Sequence, residues 1–423
     1  MKEEFLHFLW QQKLLSSQIL KTSEGDELVI IKTGLPNRNS GPDFLNVHIQ
    51  INHQTWVGNV EIHLKSSDWY LHNHEADENY DAVILHVVWE HDTAVFMKNN
   101  KALPTLELQH CIDQELLDKY QKLMNKENHW ISCEKQLNKV DSFLIKNWQE
   151  RLYFERLEHK SLLIQDLLVA TQNDYEAVLF MLLAKNFGLK VNSEVFFKLA
   201  NSFSFSVIRK LRFDEFQLSA LLFGQAGFLE EGEGDKYYLQ LKKEYEYLQH
   251  KFRLKAIHKK QFQFFRMRPA NFPTIRIAQM VALLHKHASL FAKVIETTTL
   301  QGFYELLSVE VNDYWKCHYT FETESKKSSK KITTSFIDLL VINTIIPMKF
   351  VYFKNKGRID EEHIVGLIEQ IKPEKNTIIS KFSAISVKSK NALDTQALLE
   401  LKNNYCEKNK CMKCAIGNYL LRK

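Results

Sequence analysis

The sequence predicts an α+β protein, with a small mixed-sheet α-β-β-β-α-β unit followed by a large, mainly helical domain. Three observations carry this reading. Residues 44–52 and 56–65 alternate apolar and polar side chains, the period of a half-buried strand. Val83–Trp89 is a continuous apolar run of strand length, suited to burial on both faces. From about 112 to 330 the apolar positions recur at helical spacing and are mostly Phe, Leu and Tyr. A chain of 423 residues suits two or three domains. We place them at 1–111, 112–323 and 332–423, the last two separated by a Lys/Ser-rich stretch, Glu324 to Lys331.

Residues 3–15 read as a helix, with Phe5, Leu6, Phe8, Leu9 and Leu15 on one broad face. A Ser-Glu-Gly-Asp turn precedes a short strand at 28–32. Residues 35–42 hold two prolines, two asparagines and a glycine, so they read as a loop. In the strand at 44–52, Leu45, Val47, Ile49 and Ile51 share a face. In the strand at 56–65, Gly58, Val60, Ile62 and Leu64 share one face, and Asn59, Glu61, His63 and Lys65 the other. The tight link at 52–55 predicts an antiparallel hairpin. Residues 68–80 read as a loop with a short helix, and 94–110 as extended pieces with a turn at Pro104. Helices follow at 112–126, 140–170, 174–187, 193–202, 214–223, 235–254, 275–297 and 300–307. Others are expected at 334–345, 360–371, 376–384 and 392–405. The apolar stretch from Phe336 to Phe353 is interrupted by Asp338, Asn343 and Pro347, which predicts a buried helix and then an extended segment rather than a membrane span.

Composition narrows the function classes. Hydrophobic content of 45% and charged content of 25% are those of a folded globular chain. With 13 glycines the chain has neither a Walker sequence nor a dinucleotide-binding G-x-G-x-x-G. Net charge is +5, from 56 basic and 51 acidic residues, which permits a local nucleic-acid patch without arguing for one. The start Met1-Lys2-Glu3-Glu4 lacks a signal peptide's pattern, and six cysteines in no disulfide-like framework point to a cytoplasmic protein. No membrane partner is expected, and nothing in the sequence fixes an oligomeric state.

The chemistry centres on residues 41–90. Gly41-Pro42-Asp43-Phe44 opens one strand with a carboxylate, and Glu61 lies in the middle of the next. A hard divalent cation takes oxygen donors of this kind. It would lower the pKa of a bound water and neutralise charge on a phosphoryl transition state. Element order and spacing resemble the core of the PD-(D/E)xK nuclease superfamily. The resemblance implies that Asp43 and Glu61 hold Mg²⁺ or Mn²⁺. It also implies that a Lys two residues after the Glu positions water. Here His63 stands in that place, and Lys65 follows on the same face, so either is a candidate. Glu4 is a possible accessory carboxylate, as a first-helix Glu is in some members. The plain alternative is a solvated outer strand face with an ordinary Pro-Asp turn.

Downstream, His74 and Asp77 are possible accessory ligands, whereas His72 reads as part of a solvated capping segment and His86 as a hydrogen-bonded core histidine. Cys406-x₄-Cys411-x₂-Cys414 has metal-ligand spacing for Zn²⁺ or an iron–sulfur cluster. Cys133 is the first choice of fourth ligand, and Cys317 or His318 the second. Some PD-(D/E)xK nucleases carry a four-cysteine iron–sulfur staple, similar in outline. Arg266, Arg268 and Arg276 flank a two-proline loop where Thr274 is placed to cap a helix, and they are candidate phosphate contacts. The alternative is an interdomain loop whose arginines pair with acids.

Together, Gly41-Pro42-Asp43-Phe44, Gly58-Asn59-Val60-Glu61-Ile62-His63, Arg268-Pro269-Ala270-Asn271-Phe272-Pro273 and Tyr405-Cys406 through Gly417 resemble an uncharacterised bacterial family, the domain of unknown function 2851 family. It implies the domain plan and no activity. The function expected from the sequence is metal-dependent phosphodiester hydrolysis of nucleic acid, with a non-catalytic nucleic-acid- or protein-binding scaffold as the alternative.

Overall fold

The computed structural model describes residues 1–16, 20–37, 39–125, 129–230, 234–358 and 360–423. It forms two units: Met1–Trp148 together with Leu401–Lys423, and Gln149–Glu400. The fold is α+β, with a mixed sheet near the N-terminus and a large helical part.

In the first unit, α1 (Glu3–Gln12) buries Phe5, Leu6, Phe8, Leu9 and Trp10. It ends earlier than its apolar pattern predicts because Lys13 turns left-handed, at φ 51°. The Lys13 ammonium then donates to the Ile30 and Ile31 carbonyls at 3.0 and 2.9 Å. Among the described residues seven strands follow: β1 (Leu20–Lys21), β2 (Glu27–Lys32), β3 (Leu35–Pro36), β4 (Phe44–Ile51), β5 (Gln54–Lys65), β6 (Val83–Glu90) and β7 (Thr105–Glu107). Their order in the sheet is β1-β2-β4-β5-β6-β7, with β3 paired to β4 inside the expected loop. Pairings up to β4–β5 are antiparallel. Those of β5–β6 and β6–β7 are parallel. The β5–β6 crossover carries α2 (Asp68–Leu71). Later come α3 (Gln114–Met124) and α4 (Ser142–Ala170), the latter continuing into the second unit.

Two departures from simple alternation shape the site. The predicted face of β4 is interrupted by a bulge between Phe44 and Val47, where Asn46 takes φ 55°. The bulge buries Phe44 and leaves Leu45 only half-buried. In β5 the solvated face of the alternative reading is lost at its middle, where Val60, Glu61, Ile62 and His63 are all buried, and kept at its end, where Lys65 is exposed. β5 is an inner strand between β4 and β6, and α1 and α2 both pack against it. The β4–β5 hairpin closes through Asn52 and His53, both with positive φ (44° and 67°), the conformation of a twist-matched two-residue turn.

The second unit is helical, and most predicted helices are present with shifted ends, among them Tyr175–Phe187, Glu215–Gln225 and Lys236–Phe252. The single helix expected at 275–297 is two, Pro273–Lys286 and Leu290–Glu296. The extended segment expected before Phe353 is instead helical. Thr334–Leu340 passes through a π turn, Val341–Ile345, into Ile346–Asn355. The wide turn precedes Pro347 and absorbs the backbone disruption that a mid-helix proline brings. This 22-residue stretch is apolar and long enough to cross a membrane, but 72% of its apolar window is buried within the protein. Lys349 on it is 1% exposed. Its ammonium donates to the carbonyls of Val294, Ile295 and Thr297 at 3.3, 3.0 and 2.7 Å, satisfying the end of the helix Leu290–Glu296.

Candidate metal centre

The site forms where the start of β4 meets the middle of β5. Gly41, at φ 101°, turns the chain into Pro42-Asp43. The Asn37 amide side chain donates to the Pro42 carbonyl at 3.0 Å and fixes that turn. Asp43 and Glu61 then lock reciprocally. The Asp43 N–H donates to Glu61 Oε2 at 3.1 Å, and the Ile62 N–H donates to Asp43 Oδ2 at 3.1 Å. Gly58 lets β5 approach β6 closely, since a Cβ there would lie 2.4 Å from Ile84 and 2.6 Å from the Ala82 carbonyl.

α1 supplies the next two groups. His7 Nε2 lies 3.2 Å from Asp43 Oδ2 and 3.9 Å from Glu3 Oε1. Glu3, His7 and Asp43 each offer a ligand atom within 4.8 Å of the others. Glu4 faces elsewhere, 3.5 Å from Lys413. The turn-offset between Glu3 and Glu4 places the accessory carboxylate one residue from the expected position.

On its other side Glu61 meets histidines. Glu61 Oε1 is 3.5 Å from His63 Nε2 and 3.4 Å from His74 Nε2. His72 Nδ1 is 3.1 Å from His63 Nε2, and His63 Nδ1 is 2.9 Å from His86 Nε2. The α2 turn makes this possible. Trp69 is buried beneath it, Asn73 takes φ 58°, and the His74 N–H donates to the Trp69 carbonyl at 3.0 Å. His74 then stacks on Tyr80, ring centroids 3.8 Å apart. Asp92 anchors the crossover by accepting from the Ser67 N–H and hydroxyl at 2.9 and 2.8 Å.

The electrostatics follow from this crowding. Burial, and then the Asp43 charge, push the Glu61 carboxyl up to about 9. Burial opposes charge on His7, but Asp43 and Glu3 together outweigh it and hold the ring at about 9. Burial brings His63 down to about 4 and lowers His74 and His86 as well, so these rings are neutral at physiological pH.

Asp43, Glu61, His63 and His74 of the expected residues therefore converge. Lys65 does not join them: it is exposed, with Nζ 3.5 Å from Glu90 Oε2. Asp77 instead caps the turn Glu78–Tyr80, accepting from the Asn79 N–H. Glu3, His7 and His72 are additions. Glu3-x₃-His7 at helical i,i+4 spacing is the signal for the first two, whereas His72 is placed by its position at the end of the α2 turn.

The C-terminal cysteines also belong to the first unit, with Cys133. The Cys133 thiol is raised by burial and then by the Cys406, Cys414 and Cys411 sulfurs, so the four lie in one neighbourhood. Burial pushes the Cys414 thiol up to about 11. No disulfide links the six cysteines. Gly417 allows the close turn here, since a Cβ there would lie 2.2 Å from the Cys411 carbonyl oxygen. Cys317 and His318 are in the second unit.

The three arginines are in the second unit too. Arg276 is 7% exposed, donates to Asn271 Oδ1 and Gln279 Oε1 at 2.7 and 2.9 Å, and lies 3.7 Å over the Phe336 ring. Those contacts make it a core residue. Arg266 and Arg268 are exposed. Thr274 does not cap its helix, which starts at Pro273 behind Phe272; its hydroxyl donates to the Tyr319 carbonyl.

Comparison with curated proteins and with solved structures finds no match. A family model described as "Protein of unknown function (DUF2851)" matches residues 3–377, nearly the whole chain, and the protein belongs to that family.

Proposed function

We propose that the first unit hydrolyses phosphodiester bonds in nucleic acid with the help of a divalent cation. The observation that carries this reading is the reciprocal lock of Asp43 at the head of β4 with Glu61 inside β5. Two carboxylates from adjacent strands beside Glu3 of α1 support the PD-(D/E)xK reading. The carboxylates of Glu3, Asp43 and Glu61 fit a Mg²⁺ or Mn²⁺ ion by donor chemistry, and the His7 nitrogen beside Glu3 and Asp43 suits Mn²⁺ better than Mg²⁺. When bound, such an ion supplies an acidified water and charge neutralisation. The chain's own part is to hold the carboxylates rigidly and to keep the neutral imidazoles of His63 and His74 beside them. In this reading Cys133, Cys406, Cys411 and Cys414 take Zn²⁺ or an iron–sulfur cluster as a structural staple.

A second reading, a binding scaffold without chemistry, is favoured by one observation: the Lys65 ammonium is turned to Glu90 and away from the carboxylates. Purified protein assayed on single- and double-stranded DNA and RNA with Mg²⁺ or Mn²⁺, beside Asp43→Ala and Glu61→Ala, separates the two. Cleavage lost in both folded variants supports hydrolysis. Binding without cleavage by the wild type supports the scaffold.

A further inference from the structure

We propose a second metal site on the far side of Glu61, in which His63, His72, His74 and Glu61 Oε1 bind a transition-metal ion of the zinc class. Three imidazole nitrogens lie within 4.8 Å of one another, each from a different local backbone setting: an inner strand, the end of a helical turn, and the residue after a left-handed asparagine. Glu61 Oε1 is 3.4–3.5 Å from two of these rings. Three nitrogens and one carboxylate oxygen form the donor set of zinc, manganese, cobalt or iron rather than of magnesium, which takes oxygen.

The surroundings are those of a built site. A ligating histidine normally has its remaining nitrogen held by a neighbour. His63 Nδ1 is so held, by His86 Nε2 at 2.9 Å, and both rings are buried. For His63 Nε2 to present a lone pair, Nδ1 must carry the proton and donate to His86, which makes His86 a positioning residue. His74 is fixed by stacking on Tyr80 and by the edge of Trp69, centroids 5.4 Å away. His72 is exposed and leaves the site open to solvent on one side, so water or a substrate oxygen can reach the ion.

Glu61 thereby becomes a bridge. Oε2 belongs to the Asp43 side and Oε1 to the histidine side. The hydrolytic role of such a pair rests on the function proposed above, but the site itself does not, and its test uses no nucleic acid. The full chain, stripped by chelator, is titrated with Co²⁺ and with Zn²⁺, and bound metal is counted by elemental analysis. Cobalt on thiolates gives an intense charge-transfer band, whereas cobalt on nitrogen and oxygen gives only weak d–d bands, so the cysteine cluster is read separately. The expected result is a metal equivalent without thiolate absorption. It should weaken by at least about 100-fold in His72→Ala and His74→Ala while the thiolate band stays. His86→Ala should cost about 10–100-fold and alter the d–d spectrum, and His86→Gln, which can accept from Nδ1–H, should restore it. Far-ultraviolet circular dichroism confirms folding, and His72, being exposed, tolerates truncation. Unchanged cobalt spectra and stoichiometry in His72→Ala and His74→Ala would overturn the site. Metal bound there without any cleavage would sink the nuclease reading alone. Magnesium-supported cleavage with no nitrogen-bound cobalt would sink this proposal alone.

Discussion

Replacing Glu61 by glutamine should make the metal-stripped protein more stable at alkaline pH. The folded carboxyl titrates near 9, against an ordinary 4.5, because it is buried and faces Asp43. The unfolded chain releases this proton near 4.5, while the native state holds it to about 9. Between those values the native state binds more protons, so stability falls as pH rises, by up to about 1.4 kcal/mol per unit. His7 slopes the same way over a narrower window: its folded value, about 9, exceeds 6.5, so its contribution is present below 6.5 and lost as pH rises through 9. Glutamine keeps the shape of Glu61 and removes only its share. From pH 6 to pH 8 wild type should therefore lose roughly 3 kcal/mol more than Glu61→Gln. Six of the seven tryptophans, at 10, 56, 69, 89, 130 and 148, lie in the first unit, so urea unfolding followed by tryptophan fluorescence reports on that unit. Parallel pH profiles for the two proteins, in the presence of chelator, would refute the reasoning. Adding Mn²⁺ should reverse the order, since the cation replaces the proton on wild-type Glu61 and has less to bind in the variant.

Three further predictions follow from the geometry. Asp43→Asn preserves an acceptor for the Ile62 N–H but removes the charge; cleavage rate, measured on the best nucleic-acid substrate, should fall at least about 100-fold with little change in melting temperature. Lys349→Met strands three carbonyls and should cost the second unit about 3 kcal/mol. Because burial lowers Lys349 from 10.5 to about 8, the unfolded state binds the extra proton between those values. Wild-type stability in denaturant melts should therefore rise across that window, and the variant should not show the rise. Gly417→Ala places a Cβ against the Cys411 carbonyl; the shift it forces should speed the reaction of Cys414 with a thiol reagent severalfold, measured in the native protein.

Much of this architecture was legible in the sequence because period-2 and period-3.6 patterns report which side of an element meets the core. The hairpin, the inner strand at 83–90 and most helices follow directly from those patterns. What failed to show were features set by tertiary position. Alternation along β5 reads as one wet face, but the wet face of an isolated hairpin becomes an interior when β6 and two helices cover it. Burial of Glu61 and His63 is a property of neighbours that the local pattern does not contain. Asp43 and Glu61 were readable because strand geometry alone brings them together. Glu3 instead of Glu4 depends on the roll of α1, and His72 depends on where the short α2 turn ends. The helical run through Pro347 was hidden by a π turn that no spacing announces.

The return of residues 401–423 to the first unit bears on the order of events during synthesis. Translation proceeds from the N-terminus, and domains generally fold as they emerge. Here the contiguous stretch Gln149–Glu400 has all its residues before the last segment is made, whereas the unit begun first must wait for it. Glu4 meets Lys413 only then, and Cys133 meets its three partners only then. A chain stopped short of residue 401 would thus damage the beginning of the protein more than its middle, because two helices of the first unit, α1 and α3, would lack the segment that packs on them.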